Sequence, residues 1–332
     1  MSASTDTGIA QKFWGDAARG LKRGDYPVHW LESPLVLRHC VNPRISGDPD
    51  MGWMEWLRHK FLPEPAMAGL VLGCGGGNLE RKAASLGLCR NFRGIDISPQ
   101  AIEVARALAE REGFPEFRYE AADANYAVLE PDSLDLILAD MSLHHIARLE
   151  HLLAEFAGAL RPGGLLVLNE FVGPSRFQWT DPQLCVATAA IHSLPLRLRR
   201  NRNPVKWKRI AKPWVWKAKR WSPERVARTD PSESVRSEEI PTLVESRFDV
   251  MQRADYGGAL LALVLNNIVG NFRDCSEDIA ILKLLAEQEQ ALTSNGTLAN
   301  NYTFMVCKNK MPVTLSESAG LPGTAHKAPG TT

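Results

Sequence analysis

The sequence lacks the features that mark secreted, zinc-binding and membrane-spanning proteins. Its six cysteines are scattered and include no C-x-x-C pair, so neither a disulfide framework nor a metal site is predicted. The first residues show no basic stretch followed by an apolar core, as a signal peptide would require. The longest apolar stretch, residues 257–270, contains Asn266 and Asn267 and is shorter than the roughly 20 residues that cross a bilayer. These absences predict a cytoplasmic protein.

The sequence also has little excess charge of either sign. The 332 residues include 39 Lys and Arg against 38 Asp and Glu, and the net charge is +1. The overall balance therefore predicts no polyanionic partner, although local charge can still create a binding surface. Forty-five per cent hydrophobic and 23% charged residues are typical of a globular protein with one large core or two smaller ones.

One stretch, residues 70–96, organises the rest of the chain. An apolar run ends at a loop with Gly73, Gly75 and Gly77, a helical segment follows, and a second apolar run ends at Asp96. Glycines let the backbone pass close to a ligand, because no Cβ intervenes. A carboxylate at the end of the second strand can accept hydrogen bonds from ribose hydroxyls. The stretch predicts a β-α-β unit with a nucleoside-binding crevice.

The alternation of apolar runs and amphipathic segments predicts an α/β fold with a doubly wound, Rossmann-like sheet. The sheet is expected to be mainly parallel, with an antiparallel last strand. The predicted strands are residues 68–72, 92–96, 117–121, 134–139, 165–171, 248–256 and 302–307. The main predicted helices are residues 78–86 with Asn78 as N-cap, 100–112, 147–160, 260–272 and 277–292.

The chain divides into three predicted parts. Residues 1–65 form a tryptophan-rich helical cap, which either packs over the sheet or roofs the active site. Residues 66–310 form the catalytic domain. An insertion at residues 172–236 interrupts this domain after the fifth strand, and no helix is predicted there before Ser237. Residues 311–332 are rich in Pro, Gly, Ser and Thr, so a disordered tail is predicted.

The spacing of the glycine loop separates two kinds of nucleoside site. A dinucleotide fingerprint, as in a nicotinamide dehydrogenase, requires a small residue where Asn78 stands. Five motifs lie in order at residues 73–77, 94–98, 122–124, 134–145 and 160–164. Together they resemble the class I S-adenosylmethionine-dependent methyltransferases, over residues 66–172. Val71 is a departure, because the family often has an acidic residue two positions before the first glycine.

The resemblance implies S-adenosylmethionine as the cofactor and assigns residues to its parts. The glycine loop is expected along the methionine and ribose, with Asp96 accepting from the ribose hydroxyls. Ile97 is expected over one face of the adenine, and the residues after the third strand at its edge. The assigned residues are Gly73, Cys74, Gly75, Gly77, Asp96, Ile97, Asp123 and Ala124.

Candidate catalytic residues follow the fourth and fifth strands. His144 and His145 lie where the family places residues near the transferred methyl, so one of them could accept a proton from an acceptor hydroxyl. The alternative is that they shape the pocket. Glu170 is a further candidate. The Asn/Asp-Pro-Pro-aromatic motif of base-amino methyltransferases is absent at residues 140–143, which disfavours N-methylation of adenine or cytosine.

The insertion carries a local excess of charge. Residues 196–221 contain eleven Lys and Arg, four Trp and no acid. This segment could bind a phosphate-bearing acceptor, an anionic membrane surface or RNA, and a plain alternative is a solvated surface insertion whose tryptophans pack on the sheet. We predict methyl transfer to a small polar or glycan-type acceptor on oxygen. The alternatives are an RNA methyltransferase and a non-catalytic nucleotide-binding scaffold. No stable protein partner is inferred, and the insertion could place the protein peripherally at a membrane.

Overall fold

Seven strands form one sheet in the computed structural model, which describes residues 3–18, 28–203 and 205–310. The strands are β1 Ala66–Leu72, β2 Cys89–Asp96, β3 Arg118–Ala121, β4 Leu134–Asp140, β5 Leu160–Phe171, β6 Phe248–Gly257 and β7 Tyr302–Asn309. Their order is β3-β2-β1-β4-β5-β7-β6. The first five strands are parallel, and β7 is antiparallel to both β5 and β6. This topology confirms the predicted sheet. The predicted tail, residues 311–332, lies outside the described residues.

The strand order places a ligand-binding crevice beside β1. The chain moves outward from β1 to β2 and β3, then returns across β1 to β4 and continues to β5. Connections on either side of β1 therefore leave the sheet in opposite directions. Ligands of doubly wound folds bind at such a switch point, at the carboxyl ends of the strands. The loops that follow β1 and β4 meet at this position.

Alternating side chains of the strands feed two apolar cores, one on each face of the sheet. In β1, Leu70 and Leu72 belong to one core and Val71 to the other, because successive side chains of a strand point to opposite faces. Both cores are fully buried at these central strands, where Leu136 and Ile137 of β4 are 0% exposed. Helices cover both faces, as parallel sheets require.

The N-terminal helices contact both the sheet and its carboxyl edge. They are α1 Ala3–Ala18, α2 Pro34–Val36, α3 Asn42–Ile45 and α4 Trp53–Phe61, with a π-helical turn joining α2 to α3. In α4, the rings of Trp53 and Trp56 each lie 5.7 Å from the ring of Phe304 in β7. In α1, a Cβ on Gly15 would lie 3.0 Å from Oγ of Ser98, just after β2. Thus α4 packs over the sheet and α1 lies at its carboxyl edge.

Three helices connect the parallel strands: α5 Asn78–Ser85, α6 Pro99–Arg111 and α7 Leu149–Ala159. Ser98 caps α6 by accepting from the backbone N–H of Ala101, and Pro99 occupies the first turn. The predicted N-cap at Asn78 is wrong by one residue. Gly77 occupies the cap with φ +74°, a conformation that favours glycine, while the Asn78 side chain accepts from Arg81 instead.

The expectation that no helix precedes Ser237 in the insertion is wrong. The insertion contains α8 Asp181–Ser193, α9 Lys206–Ala211 and α10 Pro223–Thr229. Helix α8 begins at a capping box, in which Thr180 and Gln183 exchange side-chain and backbone hydrogen bonds. The sequence did not predict it because its middle turn, residues 187–190, consists of Ala and Thr, so no clear apolar stripe is visible.

The C-terminal third completes the fold with α11 Ile240–Arg247, α12 Leu261–Leu265 and α13 Ser276–Ser294. The predicted helix at residues 260–272 is therefore mostly wrong. Asn266 leaves helical geometry with ψ 125° and Asn267 adopts φ +61°, so the helix ends after five residues. Asparagine tolerates this left-handed conformation better than most residues. Among the described residues, no helix is both long enough and apolar enough to cross a membrane.

Candidate active site

The glycine loop after β1 forms one wall of the crevice. Gly73, Gly75 and Gly77 have φ values of +64°, +52° and +74°, which favour glycine at each position. A Cβ on Gly73 would lie 2.7 Å from Cβ of Ser142, so the loop after β1 directly contacts the loop after β4. A Cβ on Gly75 would meet no atom within 4 Å, and its backbone therefore faces open space. Between these glycines, the backbone N–H of Cys74 donates to Ile95 O at 3.1 Å.

Asp96 ends β2 beside this loop and is held by it. Its Oδ2 accepts from the backbone N–H of Gly75 at 2.9 Å, and its Oδ1 accepts from that of Ser98 at 2.8 Å. Burial raises the pKa of Asp96, while these two hydrogen bonds act in the opposite direction. Each carboxylate oxygen retains acceptor capacity for a further donor. The arrangement fits a nucleoside whose ribose hydroxyls donate to Asp96.

The residues assigned to the adenine lie at the next strand ends. Ile97 is half-buried directly after Asp96, and the backbone N–H of Ala122 donates to Asp96 O. Asp123 caps a short 3₁₀ turn that includes Ala124, and its Oδ1 accepts from the backbone N–H of Asn125. The fold thus brings the assigned cofactor residues together at the carboxyl ends of β1, β2 and β3.

A buried carboxyl group under the glycine loop was not foreseen. Glu80, in the first turn of α5, is 0% exposed. A Cβ on Gly94 would meet Oε1 of Glu80 at 2.6 Å and Sγ of Cys74 at 2.9 Å, so both side chains crowd this glycine. Burial raises the pKa of Glu80 to about 7. The family's usual acidic position is occupied here by the fully buried Val71, and Glu80 adds a second carboxyl group near the loop besides Asp96.

His144 and Glu170 form a buried hydrogen-bonded pair next to this loop. Nδ1 of His144 lies 2.8 Å from Oε2 of Glu170, and the two side chains are 6% and 0% exposed. The other oxygen of Glu170 accepts from the backbone N–H groups of Ser142 and Leu143, both at 2.6 Å. Burial disfavours the charged imidazole, but the hydrogen bond and charge of Glu170 outweigh it, so the pKa of His144 is raised. Glu170 orients His144 and has both oxygens engaged.

His145 belongs to a second, weaker network formed by the insertion and α1. Its Nδ1 lies 3.1 Å from Oγ of Ser232 and 3.8 Å from Oδ2 of Asp230. Trp14 of α1 donates from Nε1 to the same Asp230 oxygen at 3.1 Å, and its ring stacks edge-on against His145. Burial and the adjacent His144 hold the pKa of His145 well below its usual range. His145 is therefore neutral near pH 7 and binds a proton weakly.

Glu233 brings a further carboxyl group to the two histidines. Its Oε1 lies 3.6 Å from Nε2 of His144, beyond hydrogen-bond distance. One donor atom from each of His144, His145 and Glu233 lies within 4.8 Å of the others, so the three residues could also hold a metal ion. Sequence reasoning missed Asp230, Ser232 and Glu233. No local motif marks them, and only the insertion's path brings them here.

This geometry can fix a nucleoside and accept a proton beside it. Because Nδ1–H of His144 donates to Glu170, the neutral ring presents the lone pair of Nε2 to the cluster. Gly73 of the glycine loop contacts Ser142, two residues before His144, and Gly75 of the same loop donates to Asp96. The strand order and this loop define a Rossmann-like domain with a crevice suited to a nucleoside and a buried His144–Glu170 pair beside it.

Comparisons with known proteins agree with this class. Residues 70–168 match a family described as Methyltransferase domain. A ubiquinone biosynthesis O-methyltransferase of Methylobacterium sp. (strain 4-46) is 35% identical over 141 residues, which are 41% of this chain and 55% of that protein. One from Cupriavidus pinatubonensis is 37% identical over 144 residues, 41% of this chain and 51% of that protein. The chain thus spans about half the length of these curated relatives.

A solved S-adenosylmethionine-dependent methyltransferase from Mesorhizobium loti is 19% identical to this chain. The superposition covers 77% of this chain and 98% of that one with a TM-score of 0.42, so the fold assignment rests on the strand order. The family match confirms the resemblance seen in the five motifs. Residues 70–168 therefore form a methyltransferase domain of the class I S-adenosylmethionine-dependent kind, and S-adenosylmethionine is the cofactor that this family match supports.

Proposed function

We propose that the chain transfers the methyl group of S-adenosylmethionine to a hydroxyl oxygen of a small polar or glycan-type acceptor. The observation that supports oxygen as the accepting atom is the His144–Glu170 pair, 2.8 Å apart and buried beside the glycine loop. A hydroxyl needs to lose its proton as it is methylated, and a histidine held by a carboxylate is suited to take that proton.

The chain's own residues divide this work between positioning and proton transfer. When bound, S-adenosylmethionine supplies a methyl group already activated by a sulfonium. Asp96 and the glycine loop hold the nucleoside, which keeps the methyl group oriented towards the acceptor. His144 accepts the hydroxyl proton at Nε2, and Glu170 stabilises the imidazolium that results. Glu170, named above as a catalytic candidate, acts in this scheme as a positioning residue.

Two further observations bear on the acceptor. Both reported relatives are named for methylation on oxygen, which supports the same choice of atom here. The insertion and α1 lie against His145 through Asp230 and Trp14. A histidine covered in this way supports a small molecule or a terminal sugar as the acceptor rather than a folded RNA.

The largely buried side chains of His144, His145 and Glu170 argue against a non-catalytic scaffold. Burial of a carboxyl group and two imidazoles costs free energy, and binding a nucleotide does not require it. An RNA methyltransferase remains the alternative within the same chemistry. The acceptor class therefore has to be tested directly.

The test is incubation of the protein with methyl-labelled S-adenosylmethionine and a cell extract, followed by separation into small-molecule, glycolipid, RNA and protein fractions. We expect label in the small-molecule or glycolipid fraction, in a linkage stable to mild base as expected of an ether. Label confined to RNA would contradict the proposal. Binding of S-adenosylhomocysteine without transfer to any fraction would favour the scaffold.

A further inference from the structure

The middle of the insertion forms a hairpin with a short helix at its tip. The strand-like bridge pairs Arg200 with Trp214, and the backbone hydrogen bonds of Asn201 with Pro213 and of Val215 with Arg199 extend it. Helix α9, Lys206–Ala211, lies between these two arms. We call the described residues of this region, 199–203 and 205–215, the insertion hairpin.

The tip helix exposes apolar side chains that a folded protein normally buries. Trp207 is 67% exposed and Ile210 is 71% exposed. The two residues are three positions apart in α9, so they lie on the same face of the helix. Among the described residues, no element buries this face of α9, so the face is available to a partner.

The same exposure continues around the hairpin. Four tryptophans and three aliphatic residues of this region are exposed. One alternative from the sequence was a solvated surface insertion whose tryptophans pack on the sheet. Each of these tryptophans keeps at least 41% of its surface open, so their packing is at most partial. The exposed side chains are Leu196, Val205, Trp207, Ile210, Trp214, Trp216 and Trp221. We call these seven residues, together with the Lys and Arg residues of the same segment, the insertion face.

The insertion face is strongly cationic. Residues 196–221 contain eleven Lys and Arg and no acid. Arg200, Arg202 and Arg273 line a cleft of about 430 Å³ together with Trp214. Arg197 also lines the cleft and pairs with Glu277 and Asp278 at 2.8 and 2.6 Å, and Asp278 lies 3.4 Å from Arg273. None of the ion pairs among the described residues involves Arg200. The cleft has the charge and size for a phosphate-bearing headgroup.

We propose that the insertion face docks the protein on a bilayer that contains anionic phospholipid. Tryptophan and aliphatic side chains enter the interfacial region of a bilayer, while lysine and arginine remain at the level of the headgroups. RNA would use the cations and the aromatic rings, but exposed Leu196, Val205 and Ile210 gain nothing from stacking on bases. The aliphatic residues therefore favour the membrane.

Vesicle cosedimentation with the full chain tests this proposal. We expect binding to vesicles of phosphatidylglycerol and phosphatidylcholine, weakened by salt, and little binding to phosphatidylcholine alone. The double variant Trp207→Ser/Ile210→Ser should lower the partition coefficient roughly 100-fold, because each buried apolar side chain contributes about tenfold. Leu284→Ser is the matched control, since Leu284 is 65% exposed on α13 and lies outside the insertion. The control should change binding less than about twofold.

Single-stranded poly(U) RNA serves as the competing partner in the same experiment. Failure to bind anionic vesicles, or equal binding by the wild type and the double variant, would overturn the proposal. Tight binding to poly(U) without binding to vesicles would show that the partner of the insertion face is RNA and not a membrane. Unchanged thermal unfolding of the double variant ensures that a loss of binding reports on the surface.

Discussion

Replacing Glu170 by glutamine tests the catalytic pair with the smallest change in shape. The oxygen of the glutamine can still accept from the backbone N–H groups of Ser142 and Leu143, as Oε1 of Glu170 does. Its NH₂ group then faces Nδ1 of His144, where Oε2 now lies at 2.8 Å. The imidazole would have to accept at Nδ1 and carry its proton at Nε2. It could then no longer take a proton from a hydroxyl at Nε2.

The expected size of the effect follows from burial and distance. Glu170 is 0% exposed and His144 is 6% exposed, so solvent screens their interaction weakly. Hydrogen bonds to charged groups contribute about 1.5–3 kcal/mol, and one pKa unit corresponds to about 1.4 kcal/mol. We therefore expect Glu170→Gln to lower the pKa of His144 by about one to two pH units. Loss of a general base lowers the rate by about 10²–10⁴-fold.

Titration of the histidine resonances by NMR measures this pKa without requiring the acceptor. The chain has eight histidines, and His144→Gln identifies the resonance of interest. In the wild type, His144 should titrate above the usual value of about 6.5, so methyl transfer should rise with pH through that range. Glu155→Gln is the control, because Glu155 also accepts a backbone hydrogen bond, from Leu129, away from the pair. An unchanged His144 pKa in Glu170→Gln would refute the reasoning.

Three other predictions address the cofactor site, the buried carboxyl group and the metal question. Asp96→Ala should weaken S-adenosylhomocysteine binding by about 10–100-fold, because each hydrogen bond to the carboxylate contributes about 1.5–3 kcal/mol. Calorimetry with S-adenosylhomocysteine and NAD side by side measures this affinity. Unchanged affinity would show that the ribose binds elsewhere. Glu80 has a pKa of about 7, above its unfolded value, so folding stability should fall as pH rises from about 4.5 through 7. Glu80→Gln should remove this dependence and gain up to about 3 kcal/mol at pH 8 in urea unfolding, whereas parallel stability curves would contradict it. Treatment with EDTA should leave methyl transfer unchanged, since Nε2 of His144 cannot accept a proton and bind a metal ion together; loss of activity restored by Zn²⁺ would point to a metal at His144, His145 and Glu233.

Local sequence patterns were sufficient to predict the parallel part of the sheet, strands β1 to β5, where the assigned cofactor residues lie. The β1-α5-β2 unit carries its own signals, because positive φ values require glycine and a parallel strand buried on both faces is continuously apolar. The strands β1 to β5 were all recognised, although β5 begins at Leu160 rather than Leu165. A register shift in its pairing with β4 lets the Arg161–Gly164 segment continue the strand, while its Pro and Gly residues indicate a turn in the sequence.

The surroundings of His144 and His145 could not be predicted, because they depend on contacts between residues that are far apart in the sequence. Asp230 and Glu233 lie more than 80 positions from the histidines that they face. Trp14 reaches Asp230 from 216 positions away. No periodicity or short motif records such contacts. The capping box at Thr180 was the one local signal that would have revealed α8 and reduced the apparent length of the insertion loop.

A single-turnover comparison of the wild type with His144→Gln tests the central claim most directly. Both proteins are loaded with methyl-labelled S-adenosylmethionine and mixed with the fraction of the extract that accepts label. The account predicts equal binding of S-adenosylhomocysteine and a roughly 10²–10⁴-fold slower transfer in His144→Gln, with the deficit growing as pH rises through the pKa of His144. Equal rates of transfer in the two proteins would contradict the assignment of His144 as the base that prepares an oxygen acceptor for methylation.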